Sequence, residues 1–214
     1  MTMPRIAVIG AGHAGPVIAR LVTDAGYPVS ITGSGDPDQI ALLAQVLTPG
    51  ADPRWTADAV ADAEMVVLSI PLHRLTTLDP SLLAGKTVID AMNYWPPTDG
   101  VQELFEDQRT GSSEIVQGRL TQSRVVKTLN QIGYHDLEDG RRPAGAADRL
   151  AIGVAGDDAR AVDQVAELVD RVGYDPVRLG SLKAGRALEP GNAVFGAALG
   201  RDDFEAAVCA MAAA

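Results

Sequence analysis

The strongest chemical signal in the chain is the run Gly10-Ala11-Gly12-His13-Ala14-Gly15, a G-x-G-x-x-G. Alone, that string is weak. Here it follows the β-branched, apolar run 5–9 (RIAVI) and opens a stretch of helical periodicity, all within a unit of about 30 residues. In such a unit Gly10 permits the tight turn, Gly12 lets the backbone approach a diphosphate, and Gly15 lets the helix pack close to the strand. The helix N-terminus adds unpaired N–H groups and the positive end of a dipole. The plain alternative is an ordinary strand-to-helix turn that holds three glycines. The context favours a dinucleotide clamp, with Ala11, His13 and Ala14 completing the loop around the pyrophosphate.

The end of the second strand decides between NAD and NADP. An NAD site places Asp or Glu there to hold the ribose 2′-hydroxyl. That place falls on Thr32, Gly33 or Ser34, none of them acidic. A carboxylate would repel a 2′-phosphate, so its absence permits NADP(H). Ser34 is positioned to donate to that phosphate, with Thr32 or the amide of Gly35 assisting. Asp36 is the counter-argument, since a carboxylate there could reach a ribose. Its simpler role is the N-cap of the second helix, with Pro37 in the first helical position.

No acid–base machine is evident beside the clamp. The three histidines are His13, His73 and His135. Their spacing matches no zinc motif, and taken singly each reads as structural or as a surface residue. His73 follows the run 65–70 and so lies on the side where open α/β sheets bind ligands. No nucleophile elbow is present. The single cysteine, Cys209, excludes a disulfide framework and a Cys-rich metal site, and reads as a small buried or frayed residue. A clamp without a catalytic set suits hydride transfer between two bound cofactors, where the organic groups carry the reaction. Tyr94 and Trp95 either wall such a pocket or plug the edge of the sheet.

The elements that must position these residues alternate. Strands are expected at 5–9, 29–32, 65–70, 86–90, 124–127, 150–155 and 175–179. Helices are expected at 14–25, from Asp36 through Leu47, at 112–120 and at 157–172, with a short helix or turn at 56–63. Short apolar strands alternating with helices imply right-handed crossovers and a mostly parallel sheet covered on both faces, a doubly wound α/β fold of the Rossmann type. Residues 93–111 and 133–148 read as long surface loops, and 206–214 as a fraying helix. The expected organisation is a nucleotide-binding domain over 1–180 with a short extension, 181–214, packed on it.

Composition narrows the function further. The chain has 214 residues, is 46% hydrophobic and 21% charged, and carries a net charge of −10. This is the make-up of a globular domain able to bury a core without a metal or disulfide. The acidic balance argues against nucleic acid or an anionic membrane as a partner. No apolar run is long enough for a membrane span, and no secretory signal is expected at the N-terminus, so the cytoplasm is the expected location.

In ordered pieces nearly end to end, the sequence resembles the F420-dependent NADP oxidoreductase family. The pieces are IAVIGAGHAG (6–15), VVLSIP (66–71), SSEIV (112–116), RVVK (124–127), AGDD (155–158), GYDPVRLGSL (173–182) and GRALEP (185–190). The forms AMNYW (91–95) and GYHDLED (133–139) resemble an actinobacterial branch. The resemblance implies a single Rossmann domain with a small C-terminal addition. It also implies hydride transfer between nicotinamide C4 and deazaflavin C5 without metal or covalent catalysis, and commonly a homodimer. It places Gly10, Ala11, Gly12, His13 and Ala14 on the pyrophosphate, Ser34 on the 2′-phosphate, and Ser69, Ile70 and Pro71 beside the nicotinamide. Asn93, Tyr94 and Trp95 would stand near the acceptor.

Two departures are visible. Gly35 stands where the family typically has a basic residue, and 93–111 differs from the archetype. Arg141, Arg142, Arg149, Lys183 and Arg186 are the candidate counter-charges for the anionic tail of coenzyme F420. Relatives that reduce hydroxyacids or pyrroline-5-carboxylate append a large helical domain, whereas this chain continues only to Ala214, which disfavours those functions. The expected activity is hydride transfer between NADP(H) and F420 or a related flavin. The alternatives are reduction of a small carbonyl or imine, with His73, Tyr94 or His135 as proton donor, and a non-catalytic NADP(H)-binding redox sensor.

Overall fold

A computed structural model of the chain describes residues 3–106 and 109–212. The strands are β1 (Ile6–Ile9), β2 (Val29–Thr32), β3 (Asp52–Pro53), β4 (Met65–Leu68), β5 (Thr87–Asp90), β6 (Arg124–Lys127), β7 (Ala151–Gly156) and β8 (Asp175–Gly180). The helices are α1 (Ala14–Asp24), α2 (Ala41–Leu47), α3 (Thr56–Asp62), α4 (Pro96–Asp99), α5 (Glu103–Glu106), α6 (Ser112–Arg119), α7 (Tyr134–Asp139), α8 (Ala159–Arg171) and α9 (Arg201–Ala212). One sheet runs β3-β2-β1-β4-β5-β6-β7-β8. Its first six strands are parallel and ordered as in a dinucleotide-binding sheet, with the reversal of winding between β1 and β4. β7 pairs antiparallel with β6, and β8 runs parallel to β7. The Rossmann-type α/β fold expected from the alternation is the one observed.

The strands are buried on both faces because their side chains alternate between two apolar layers. Ile6 and Val8 of β1, Met65 and Val67 of β4 and Ile89 of β5 face the layer under α1 and α8. Ala7 and Ile9, Val66 and Leu68, and Val88 face the layer under α3 and α6. α1 inserts Val17, Ile18, Leu21 and Val22, and α8 inserts Val162, Val165, Leu168 and Val169, each at the spacing of one helix face.

Several expectations are corrected. β3 is a strand of two residues, Asp and Pro, which carry no β-propensity and are tolerated only at a sheet edge. The stretch 93–111 holds the one-turn helices α4 and α5, and two of its residues lie outside the described ones. The stretch 133–148 holds α7. α9 starts at Arg201, five residues before the Ala-rich run, because Phe204 anchors it in a third cluster with Ala151, Val177, Leu188 and Val194. The last two residues of the 206–214 expectation lie outside the described ones. Of the two readings of Cys209, burial is excluded: it is exposed on α9. Between β8 and α9 a 3-10 turn, Leu182–Leu188, packs Leu182 into the layer under α3 and α6 and Leu188 into the third cluster.

Candidate functional site

The C-terminal ends of β1, β4, β5 and β6 form one rim. At β1 the chain turns tightly. Gly10 has φ +126°, and a Cβ there would stand 2.1 Å from the carbonyl oxygen of Ser69. A Cβ on Gly15 would stand 1.8 Å from the carbonyl oxygen of Gly10. Only glycine fits either position. Around Gly12 nothing lies within 4 Å, so the space in front of it is open. His13 occupies the N-cap of α1 but makes no side-chain cap, and the first turn holds no acidic residue. The leading amides of α1 therefore face outward without a partner from their own cap, at the positive end of the helix dipole. A diphosphate fits this cradle, and the chain's own Gly10, Ala11, Gly12, His13 and Ala14 would hold it.

At β2 the structure separates the predicted residues. Thr32 is buried, and its hydroxyl accepts from that of Thr56 at 3.1 Å, so it is spent inside the fold. Gly33 is partly open and Ser34 is exposed. Asp36 accepts from the amide of Asp38 at 3.0 Å and caps the 3-10 turn Pro37–Gln39 that leads into α2. At β4, the amide of Ser69 donates to the carbonyl of Ile9 at 2.9 Å, which sets Ser69, Ile70 and Pro71 beside the glycine loop. His73 follows in the 3-10 turn Leu72–Thr77 and pairs with Asp99, Nδ1 to Oδ1, at 3.0 Å.

On the other flank the rings of His13 and Tyr134 stack with centroids 5.7 Å apart, and Tyr134 leans on His135 at 4.2 Å. Arg20 of α1 bonds Glu138 of α7. α7 is thus docked along α1, and the 133–148 stretch reaches the rim only at its start, through Tyr134.

Beyond β5 and β6 lies polar structure in which Asn93, expected near the acceptor, meets residues that the sequence alone does not single out. The side chain of Asn93 donates to the carbonyl of Asn130 at 2.8 Å, and that of Asn130 donates to Oδ1 of Asn93 at 2.9 Å and to the carbonyl of Leu188 at 2.7 Å. Leu129, between Asn130 and Thr128, is the one non-glycine among the described residues with positive φ, at 62°. The hydroxyl of Thr128 and Oδ1 of Asn130 are buried without a hydrogen-bond partner. Strain and unmet polar atoms at a strand end are the marks of a binding rim.

Behind it, Lys127 is wholly buried, bonded to the carbonyl of Met92 and 3.5 Å from both Oδ2 of Asp90 and the hydroxyl of Ser112. Ser113 donates to Asp90 at 2.5 Å, and Ser112 donates to Glu189 through both its amide and its hydroxyl at 2.7 Å.

Ser112 and Glu189 of this network line a cavity of about 470 Å³ together with Tyr94, Phe105, Glu106 and Arg186. Tyr94 donates its hydroxyl to Glu106 at 2.6 Å, a bond that holds the phenol above its ordinary pKa. Trp95 stands half-exposed nearby in sequence. β5 lies between β4 and β6, so there is no sheet edge for these rings to plug. Of the candidate counter-charges, Arg186 lines the cavity. Arg149 is buried and paired with Asp170 and Asp175, Arg141 pairs with Asp24, and Arg142 with Asp148. Among the described residues no cluster of His, Cys, Asp and Glu could hold a metal ion, and no helix is long and apolar enough to cross a membrane.

Comparison with known proteins agrees with this geometry. The family model for coenzyme F420-dependent NADP oxidoreductases matches residues 5–94. A protein of Arthrobacter sp. FB24, provisionally assigned as an F420-dependent NADP reductase, is 30% identical and superposes with a TM-score of 0.67 over 85% of this chain and 87% of its own. The hypothetical protein SMa0349 of Sinorhizobium meliloti is 26% identical, with a TM-score of 0.77 over 94% of this chain and 97% of its own. The metalloreductase STEAP3 of Rattus norvegicus is 26% identical over 87% of this chain, which spans about a third (36%) of that protein's length. An eight-stranded dinucleotide-type sheet, a glycine cradle under an uncapped helix, and a relative matched over most of both chains lead to one assignment: the chain belongs to the F420-dependent NADP oxidoreductase family, a family of NAD(P)-dependent oxidoreductases.

Proposed function

We propose that this protein transfers a hydride between NADP(H) and the deazaflavin coenzyme F420. One observation carries the reading. An uncapped helix N-terminus over a glycine cradle shares its rim with a cavity large enough for part of a fused ring system. The bound dinucleotide supplies the hydride. The chain's residues do the rest: Gly10 to Ala14 hold the pyrophosphate, Ser34 meets the 2′-phosphate, and Ser69, Ile70 and Pro71 wall the nicotinamide side. Asn93 and Tyr94 bound the acceptor side, and Arg186 meets the acceptor's anionic tail. Residues 1–180 form the nucleotide-binding unit in this reading, with 181–214 laid against it to complete the acceptor wall. The active form is a homodimer in the cytoplasm.

A second reading is favoured by the charge of the cavity. Glu106 and Glu189 line it beside the single guanidinium of Arg186. Two carboxylates suit a cationic iminium better than a polyanionic tail. Absorbance separates the two. Purified protein mixed with NADPH and F420 should lose both chromophores together, and more slowly with NADH in place of NADPH. No change with F420, together with NADPH oxidation by a cyclic imine, overturns the first reading in favour of the second.

A further inference from the structure

His73 and Asp99 form a pair that a nucleotide clamp does not require. The side chain of Asp99 is 2% exposed and that of His73 33%. Oδ1 of Asp99 accepts from the backbone N–H of His73 at 3.1 Å and lies 3.0 Å from the ring Nδ1. Oδ2 accepts from the backbone N–H of Trp95 at 2.9 Å. A buried carboxylate is costly unless its charge is met, and here two amides and one imidazole meet it. An ionised carboxylate only accepts, so Nδ1 must carry the ring proton. That leaves Nε2 as the basic nitrogen of the neutral ring and as the second donor of the imidazolium. A carboxylate behind one ring nitrogen is the usual way to fix which nitrogen is free to work.

The pair also joins the two halves of the rim. His73 follows Ser69 and Ile70, the residues against the glycine loop. Asp99 closes α4, the helix that begins at Pro96, and Pro96 and Tyr94 line the cavity. Two other proton carriers on this rim are already engaged. The Tyr94 proton is held by Glu106. Lys127 is sealed under Met92. His13 and His135 are exposed, each in ring contact with Tyr134.

We propose that His73 donates and accepts the proton that accompanies hydride transfer, and that Asp99 is the positioning residue that keeps its other proton on Nδ1. This rests on the hydride-transfer reading above. The acceptor gains a hydride, with its electron pair, from the reduced dinucleotide, which is thereby oxidised. The acceptor's ring nitrogen gains a proton from Nε2 of the His73 imidazolium. The imidazole left behind is neutral and keeps its Nδ1 proton toward Asp99. Solvent returns a proton to Nε2 through the open third of the side chain. In the reverse direction Nε2 takes the proton.

Two measurements test this separately. Long-range 1H–15N spectra of the ligand-free protein, with His73 assigned by its loss in His73→Gln, should show the neutral ring protonated on Nδ1. In Asp99→Ala no acceptor stands behind Nδ1, and the proton should move to Nε2, the nitrogen that carries it in free histidine. A wild-type ring protonated on Nε2, or a tautomer unmoved in Asp99→Ala, overturns the positioning half whether or not F420 is the acceptor. In turnover with NADPH and F420, His73→Gln should lower kcat by about 100-fold or more, the range of a lost general acid. The KM for NADPH and the calorimetric affinity for NADP+ should stay within about threefold. Unchanged kcat, or a loss that tracks nucleotide affinity or melting temperature, overturns the catalytic half. Asp99 is buried and its replacement can cost the fold, so His73→Gln carries the kinetic arm alone. Absence of turnover with every acceptor tried sinks the hydride-transfer reading and the catalytic half together, and the spectra still decide the pair.

Discussion

The sheet contains two strand–helix–strand units of the same build, β1–α1–β2 and β7–α8–β8, and they finish their helices in opposite ways. At α8, Asp158 accepts from the amide of Ala161 at 2.8 Å, and its neighbour Asp157 accepts from that of Leu182 at 2.9 Å. The turn AGDD thus satisfies its local donors with the chain's own carboxylates. At α1 the corresponding turn offers Gly12 and His13, both exposed, and no cap. A missing cap costs about 1 kcal/mol of helix stability. One unit secures that stability internally. The other leaves its leading amides without a cap, and under the proposed function a bound diphosphate meets them.

The largest effect expected from breaking this contrast lies at the cradle. In Gly15→Ala the new Cβ meets the backbone oxygen of Gly10 at 1.8 Å, so the turn or α1 must shift. The loss should exceed about 3 kcal/mol in urea unfolding, at the severe end for one methyl group. Gly12→Ala adds the same methyl where nothing lies within 4 Å. Its unfolding midpoint should stay at the wild-type value, while NADP+ affinity by calorimetry falls at least about tenfold, or 1.4 kcal/mol. Equal nucleotide affinity in Gly12→Ala and wild type would place the diphosphate elsewhere.

A second, smaller effect belongs to the closed unit. Tyr174, between α8 and β8, is fully buried and donates its hydroxyl to the carbonyl of Leu137 in α7 at 2.6 Å. Burial pushes its pKa up to about 12, against the opposing pull of Arg141 and Arg142. A pKa raised in the folded state means that the folded protein holds the proton more tightly. Its stabilisation is complete below pH 10, the ordinary tyrosine value, and is lost as pH rises from there toward 12. The loss attributable to Tyr174 should be about 2–3 kcal/mol. Tyr27, raised by burial in the same direction, adds its own slope. Unfolding free energies measured across this range should fall less steeply, by one proton, in Tyr174→Phe.

How much of this was legible beforehand follows from the range of the forces. The strands and long helices announce themselves because burial on two faces imposes a local pattern, as in IAVI of β1 or the spacing of Val162, Val165 and Val169 in α8. The glycine cradle is legible because backbone sterics restrict residue choice at single positions. β3 was missed because an edge pairing of Asp52 and Pro53 rests on the neighbouring strand, not on propensity. α4, α5 and α7 lay hidden in stretches read as loops, since helices of four to six residues are held by tertiary contacts. The acceptor side was the least legible. Asp90, Lys127, Ser112 and Glu189 converge from β5, β6, α6 and the turn after Leu188, and charges brought together by folding leave no spacing to read. A lysine in the apolar strand RVVK and an acid ending KTVID were the available signals. Thr32 shows the reverse error, a residue at the right strand end whose hydroxyl turns inward to Thr56.

The smallest effect is also the most direct exchange between the two units. Asp158→Ala removes the cap of α8 and should cost about 1 kcal/mol of stability, with NADP+ affinity unchanged because β7 runs antiparallel to β6 and carries the start of α8 away from the rim. His13→Asp puts a carboxylate at the N-cap of α1. It should raise the unfolding free energy by about 0.5–1 kcal/mol, since a capping acid also meets the helix dipole. The same carboxylate would stand where the proposed function puts the pyrophosphate, so NADP+ affinity should drop tenfold or more, or roughly 1.4 kcal/mol and above. His13→Ala removes the stacking with Tyr134 without adding charge, and so separates the loss of the ring from the presence of the acid. If His13→Asp stabilises the fold and binds NADP+ as well as His13→Ala does, the open end of α1 is only an uncapped helix, and the contrast between the two units is one of stability alone.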